Sequence, residues 1–163
     1  MKKISGLFLF QLILLLPLVS CASSGTSIDR ILAEKNAPPG VVIEIVTGDR
    51  DGLAWALPLA RDYIKSLRKR FPGLTVAIVT HGREQFALQK TKNKSKKKIH
   101  SLTQTLKKED VPVHLCGTFA GWEGLSDEDF PAYVDVAAAG PAQINDYLAL
   151  DYKLIVINSR SKP

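Results

Sequence analysis

Short aliphatic runs alternate with longer amphipathic segments along most of this chain. Residues 41–46 are a nearly continuous β-branched run, interrupted only by Glu44, and residues 53–71 repeat apolar side chains at helical spacing. The alternation continues with predicted strands at 74–79, 111–115, 133–137 and 153–157 and predicted helices at 99–108 and 140–150. Because strands that alternate with helices favour parallel pairing, this pattern predicts an α/β fold, a mostly parallel sheet with helices on both faces.

The first twenty residues have the composition of a secretory signal and are not expected to belong to the fold. Lys2 and Lys3 provide a basic start, and the apolar run at 7–18 is shorter than the ~20 residues of a membrane-spanning helix. The residues that end this run, Leu18-Val19-Ser20-Cys21, resemble the lipobox of bacterial lipoproteins. In that family the cysteine sulfur is joined to diacylglycerol, the chain is cut before the cysteine, and the new amine is acylated.

A lipobox at Cys21 implies an exported protein that several acyl chains hold on a bacterial membrane, facing the periplasm. Each buried methylene adds about 0.8 kcal/mol of membrane affinity. Ala22, rather than an aspartate, follows the cysteine, which favours the outer membrane. An ordinary cleaved signal with a chance cysteine is the alternative. The expected organisation is a signal at 1–20, a lipidated tether at 21–39, one domain at 40–158 and a tail at 159–163.

The basic character of the chain comes from one segment. The formal charge is +6, and residues 90–98 alone contain six lysines, with two more in the predicted signal. A single basic segment, rather than a broad basic face, argues against a nucleic-acid groove. We expect this segment to be a solvated loop, because like charges at this density repel one another in a compact state. The alternative is contact with anionic lipid headgroups, worth about 1 kcal/mol per lysine near the surface.

Cys116 is the strongest candidate for chemistry. With lipid on Cys21 it is the one free thiol of the processed chain, so no internal disulfide can form. It follows the strand predicted at 111–115 and precedes Gly117 and Thr118, whose amides would stabilise a thiolate at a helix start. Open α/β sheets bind ligands at this end of their strands. Cys116 is therefore a candidate nucleophile or sulfur carrier, and the alternative is a buried cysteine that packs as a small hydrophobe.

Other residues near the predicted strand ends form a candidate ligand crevice. His81 is a second catalytic candidate, since Gly82 allows close backbone approach, and Glu123 is a candidate acid or base. The crevice residues are Thr47, Gly48, Gly82, Gly117 and Thr118. His114 is expected to pack under a helix, and Trp122 in the core or at a subunit interface. The sequence has neither metal-ligand spacing nor a dinucleotide or phosphate-loop glycine pattern, so no metal and no cofactor is predicted.

From the second strand onward, the order of features resembles the DsrE/DsrF-like sulfur-metabolism family. The features in register are His81-Gly82 after the second strand, Cys116 after the third, Gly124-Leu125, an acidic helix start at 126–129, Val134-Asp135-Val136, and Ala139-Gly140 before the last helix and strand. The resemblance spans about residues 40–158. It implies a five-stranded, mostly parallel sheet between helices, often assembled as trimers or hexamers.

The resemblance also implies a role for Cys116, because relay members of the family carry sulfur at this position as a persulfide and pass it to a partner protein. This chain departs from those members in the Gly-Thr-Phe-Ala-Gly-Trp sequence after Cys116 and in its predicted export. The predicted function is a membrane-anchored DsrE-like carrier of sulfur or thiols, sulfurtransferase-like if it is an enzyme. The alternatives are a non-catalytic binding or assembly module of the same fold, or a subunit whose active group belongs to a partner chain.

Overall fold

A computed structural model describes residues 27–90 and 96–163 as one parallel sheet with helices on both faces. The strands are β1 (Val41–Val46), β2 (Val76–Thr80), β3 (Val113–Cys116), β4 (Asp135–Ala137) and β5 (Lys153–Asn158). The helices are α1 (Ser27–Leu32), α2 (Leu53–Arg70), α3 (Lys97–Lys108), α4 (Gly117–Trp122) and α5 (Gly140–Ala149), with 3-10 segments at Arg83–Leu88, Asp127–Asp129 and Ser159–Ser161. The prediction of a five-stranded α/β fold is confirmed, and every strand pair is parallel.

The strands lie in the order β4-β3-β2-β1-β5. The chain adds the first four strands in one direction and then returns to place β5 on the far side of β1. The β1–β5 register runs from Val41 opposite Lys153 to Val46 opposite Asn158. Because β1 is paired on both sides and covered on both faces, a β-branched run fits it, as is usual for inner strands of parallel sheets.

The two faces of the sheet carry cores of unequal size. The larger core receives alternate side chains of the strands and the apolar sides of α1, α2, α3 and α4. Its fully buried members include Ile43, Ile45, Leu57, Leu67, Ile78, Leu106 and Leu115. The smaller core consists of Val42, Val79 and Ile144, against which Tyr147, Tyr152 and Leu154 pack. Helix α5 therefore covers a face on which several strand positions are polar.

The amino-terminal part of the described chain is packed rather than extended. Ile28 and Ile31 of α1 are buried in the larger core. The tether predicted at 21–39 therefore does not describe the chain from Ser27 onward, because these two isoleucines give α1 an apolar side to bury. The predicted signal at 1–20, the lipidation site Cys21 and the first residues of the tether lie outside the described residues.

The structure corrects two local predictions, for the lysine segment and for the helix expected after Ser126. The lysine segment is not a loop throughout, because α3 begins at Lys97 and so takes up its last two lysines; residues 91–95 lie outside the described ones. The expected helix after Ser126 is a single 3-10 turn, Asp127–Asp129. Its capping box is formed, with Asp129 accepting from the backbone of Ser126 at 2.8 Å, but no amphipathic run comes after it that could extend the turn.

The other element boundaries agree with the prediction to within two or three residues. β2 and β3 each begin two residues later than predicted and end one residue later, so β3 includes Cys116. Over residues 27–90 and 96–163, none of the helices combines the length and the apolar composition needed to cross a bilayer.

Candidate functional site

A pocket opens at the carboxyl edge of the sheet, where the connections after β3 and β4 diverge. α4 follows β3 directly and packs Ala120 into the larger core, whereas α5 follows β4 and packs Ile144 into the smaller one. Such a divergence leaves a crevice beyond the strand ends. The pocket here has a volume of about 480 Å³. Its lining residues are Gly48, His81, Gly82, Arg83, Cys116, Thr118, Phe119, Trp122, Ala139 and Pro141.

Cys116 ends β3 and caps α4, so its thiol faces this pocket from the sheet. The side chain is largely buried, with 5% of the residue exposed. Its Sγ accepts a hydrogen bond from the Phe119 amide at 3.4 Å. Two further bonds fix its backbone: the Cys116 amide donates to Gln85 Oε1 at 2.9 Å, and Gln85 Nε2 donates to the Cys116 carbonyl at 3.2 Å. In the described part of the chain, Cys116 is the free cysteine.

His81 follows β2 and is held by a carboxylate from β1. Its Nε2 lies 2.6 Å from Glu44 Oε1, and both side chains are mostly buried, with exposed fractions of 18% and 19%. The hydrogen bond to Glu44 raises the pKa of His81 above its usual value, and this effect outweighs burial, which lowers it. At neutral pH the imidazole is therefore charged more often than that of a free histidine.

Cys116 and His81 are close neighbours on the sheet. Thr80 pairs with Leu115, so the next residues of the two strands, His81 and Cys116, stand at one level on adjacent strands. Both approach Gly140 at the start of α5. A Cβ placed on Gly140 would lie 2.5 Å from the His81 Cβ and 3.3 Å from the Cys116 Cβ. The missing side chain at Gly140 therefore gives the thiol and the imidazole room to lie together.

A buried glutamate fixes the loops on one side of the pocket. Within the described part of the chain, the Glu84 carboxylate accepts five hydrogen bonds, from the amides of Thr47, Gly48 and Gly82 and the hydroxyls of Thr47 and Thr80. Their lengths run from 2.8 to 3.3 Å. Because these donors come from the ends of both β1 and β2, Glu84 holds the two strand ends in one arrangement. It does so from inside, since it is fully buried.

The structure brings together some of the predicted crevice residues and separates others. Gly48, Gly82 and Thr118 line the pocket with Cys116 and His81, and the Thr118 hydroxyl donates to the Ala138 carbonyl at 2.7 Å. Thr47 does not line the pocket; its amide and its hydroxyl donate hydrogen bonds to Glu84. Gly117 packs against β4, where a Cβ would lie 3.0 Å from the Ala137 carbonyl oxygen.

The structure places two other candidate residues at the surface. Glu123 does not line the pocket; it forms a surface ion pair of 2.7 Å with Arg50. Trp122 is not a core residue of the chain, because 78% of it is exposed and its ring packs edge-on against Phe119 at the pocket wall. His114 packs under α5 as expected, with Nε2 2.8 Å from the Tyr147 hydroxyl.

Sequence reasoning missed the supporting residues Glu44, Glu84 and Gln85. Glu44 carried a visible signal, since it is the one charged residue in an otherwise aliphatic strand. Glu84 and Gln85 carried none, because a polar pair after a strand is typical of any surface turn. Across residues 27–90 and 96–163, no three acidic, histidine or cysteine side chains lie close enough together to hold a metal ion.

Comparison with known proteins settles the family. The model of the DsrE/DsrF-like family matches residues 23–157. The chain belongs to the DsrE/DsrF-like family. The family match begins well before residue 40, in agreement with the packing of α1 on the DsrE-like core.

Two solved structures show the same fold. One is a protein of unknown function from Methanobacterium thermoautotrophicum, with a TM-score of 0.58 and 17% identity over 72% of this chain and 97% of that one. The other is the ychN protein from E. coli, with a TM-score of 0.53 and 19% identity over 73% of this chain and 98% of that one. None of the curated proteins matches the chain. At these identities the likeness establishes the fold alone.

Proposed function

We propose that this DsrE-like protein carries sulfur as a persulfide on Cys116, in a domain that a lipid on Cys21 tethers to the periplasmic face of a bacterial outer membrane. The observation that carries the proposal is the position of Cys116, on the wall of a pocket with His81 beside it. A nucleophile next to a group that can take and return its proton is the arrangement that thiol transfer requires.

The transfer needs no oxidant or reductant beyond its two substrates. His81 accepts the proton of the Cys116 thiol, and the thiolate attacks the outer sulfur of a donor persulfide, R–S–SH. A bond forms between that sulfur and Sγ while the bond to the donor's inner sulfur breaks, and the imidazolium returns its proton to the leaving R–S⁻. The products are the Cys116 persulfide and R–SH, and the reverse reaction delivers the sulfur to an acceptor thiol.

The walls of the pocket are suited to a reactive thiolate or persulfide at Cys116. Phe119, Trp122, Ala139 and Pro141 present carbon to the thiol, which limits the access of water and strengthens the interaction between thiolate and imidazolium. Arg83 and the exposed Trp122 lie at the same pocket. Trp and Arg are the residues most enriched in the energetic centres of protein interfaces, which favours another protein as donor or acceptor.

Intact mass spectrometry after exposure of the full-length protein to a small organic persulfide tests the carrier role. We expect the gain of one sulfur atom, located by peptide mapping to Cys116 and absent in Cys116→Ser. The folded protein should also react with iodoacetamide at Cys116 below pH 8. Labelling of Cys116 only after denaturation, with no sulfur uptake, would refute the carrier role.

The membrane anchor is a separate part of the proposal and rests on residues 18–21. We expect full-length protein made in a bacterium to incorporate labelled palmitate and to fractionate with the outer membrane. Cys21→Ala should lose the label. Retention of the label in Cys21→Ala would refute lipidation at this residue.

A non-catalytic binding or assembly module of the same fold is the second candidate, favoured by the near-complete burial of Cys116. In this case, the pocket would hold a ligand and the exposed Trp122, Leu148 and Leu150 would face other copies of the chain. Assembly as trimers or hexamers is also part of the main proposal. Light scattering after gel filtration measures it, and a monomer at micromolar concentration would contradict it.

A further inference from the structure

Glu44 is the charged residue that the packing of the sheet least explains. It lies in β1, between strands β2 and β5, among valines and isoleucines that are fully buried. Burying a carboxylate is costly unless the charge is paired and hydrogen-bonded. In the described structure, the side chain paired with Glu44 is His81, at 2.6 Å. The carboxylate is therefore held at this position by its contact with a residue of the candidate site.

Glu44, His81 and Cys116 lie on one face of three adjacent strands. In β1, Ile43 and Ile45 point into the larger core, so Glu44 points to the opposite face, toward α5. His81 and Cys116 follow Thr80 and Leu115, which also point toward the larger core, and so share the face of Glu44. Glu44 does not line the pocket, whereas the other two residues do. Its contact with the pocket residues is therefore the one it makes with His81.

The charged groups around His81 leave Glu44 as its principal partner. Glu84 follows in the 3-10 segment, but five hydrogen bonds already engage its oxygens. Arg83 and Cys116 share the pocket with His81, and α5, which lies wholly within the described residues, has no acidic side chain in its first turn. The Glu44 hydrogen bond is also the largest cause of the raised pKa of His81.

We propose that Glu44 is the positioning residue of the site: it holds Nε2 of His81 and so orients the imidazole that exchanges a proton with sulfur at Cys116. The inference rests on the proposed role of Cys116. Glu44 orients the ring and stabilises the imidazolium while the proton moves between His81 and the sulfur atoms. This is the division of roles among nucleophile, base and orienting carboxylate that other thiol and hydroxyl nucleophiles use.

Glu44→Gln tests the proposal, because it retains the size of the side chain and removes its charge. Three histidines occur in the chain, so their imidazole signals can be followed individually by NMR during a pH titration of the full-length protein. We expect the titration midpoint of His81 to fall in Glu44→Gln while those of His100 and His114 stay in place. The rising limb of the rate of Cys116 alkylation against pH should move to higher pH. The alkylation rate at neutral pH should fall roughly tenfold for every pH unit that this limb moves.

Two further variants make the outcome unambiguous. Glu109→Gln removes an exposed carboxylate that pairs with Arg61 at 3.3 Å, and it should leave both profiles unchanged. Glu44→Asp retains the charge with a shorter reach and should give an intermediate midpoint, which also covers the case in which the glutamine variant does not fold. A His81 midpoint that matches the Glu109→Gln control in the folded Glu44 variants overturns the inference.

The two proposals fail in different ways. If Cys116 takes up sulfur but the His81 midpoint does not respond to Glu44, the carrier role stands and the positioning role is refuted. If the His81 midpoint moves but Cys116 takes up no sulfur in the wild type, the carrier role is refuted, and with it the assignment of Glu44 to that reaction.

Discussion

His81 and His114 lie on the same face of the sheet, on neighbouring strands, yet their surroundings favour opposite charge states. His81 and Glu44 lie toward the carboxyl edge of the sheet, beside the pocket, and are called the edge pair. In this pair, a carboxylate 2.6 Å from the imidazole raises the pKa of His81. In the inner pair, His114 and Tyr147, the partner is a neutral hydroxyl 2.8 Å away, and burial lowers the pKa of His114. Both histidines are hydrogen-bonded through Nε2, so the charge of the partner and the depth of burial decide the difference.

The position of α5 explains where each pair lies. Tyr147 of α5 covers His114 directly, with ring centroids 5.8 Å apart, and Tyr152 packs on Tyr147 at 5.1 Å. His81 lies by the start of α5, where Gly140 provides space and the pocket begins. The inner pair is thus part of the small core, whereas the edge pair faces a cavity. One sheet face contains a structural histidine and a candidate functional one.

The largest expected effect concerns Glu84, whose hydrogen bonds hold the strand ends around the edge pair. Glu84→Ala leaves five donors without their acceptor, and we expect the free energy of unfolding to fall by on the order of 3 kcal/mol or more. Urea denaturation measures it. Glu123→Ala is the matched control, because it removes an exposed ion pair and should cost less than about 1 kcal/mol. Equal costs would contradict this account of Glu84.

A smaller effect is expected at Gly140, where a methyl group would meet the edge pair. In Gly140→Ala the new Cβ would lie 2.5 Å from the His81 Cβ, so His81 must shift, at a cost of about 1–3 kcal/mol. The His81 titration midpoint should move toward that of an ordinary histidine, as NMR would show. Gly121→Ala is the control, since nothing lies within 4 Å of its Cβ. An unchanged His81 midpoint in Gly140→Ala would mean that the ring tolerates the methyl group.

The inner pair should affect stability without affecting the thiol. Tyr147→Phe removes the hydroxyl that pairs with His114 and should lower the free energy of unfolding by about 1 kcal/mol, as for a typical buried hydrogen bond. The rate of Cys116 alkylation should not change. Urea denaturation and alkylation kinetics on the same sample measure both. A lower rate of Cys116 alkylation in Tyr147→Phe would contradict this, because it would show that the inner pair also affects the thiol.

The smallest effects are those of pH on stability, and they have opposite signs. Since the pKa of folded His81 lies above 6.5, its contribution to stability is fully present below pH 6.5 and is lost as the pH rises through the folded value. The folded pKa of His114 lies below 6.5, so His114 lowers the stability as the pH falls from 6.5 through that value.

Thermal unfolding from pH 5 to 8 would separate these two contributions. On acidification, the melting temperature of His114→Gln should fall less than that of the wild type. As the pH rises above 6.5, the melting temperature of His81→Gln should fall less than that of the wild type. The same pH profile in both variants would remove the distinction between the edge and inner pairs.

Much of the architecture could be predicted because it depends on local patterns. The continuous aliphatic run at β1 predicts a strand and the apolar spacing of α2 predicts a helix, each without reference to the rest of the chain. Both elements appear where these patterns place them. The 3-10 turn at Asp127–Asp129 shows the limit: its capping box predicted the start of a helix correctly, but the length of the helix depends on the residues after the cap. The buried side of α1 was missed because six residues are too few to establish a period.

The sequence by itself determined the α/β class, the positions of the strands and the place of Cys116 at a strand end, since hydrophobic spacing is readable within a dozen residues. Only the tertiary structure decided that β5 returns beside β1 and that Glu44 meets His81 from 37 positions away. It likewise brought Gln85 to the backbone of Cys116 across 31 positions. These contacts depend on the order and the register of the strands. Both are properties of the whole sheet, because they depend on how all the strands pair, and no single segment encodes them.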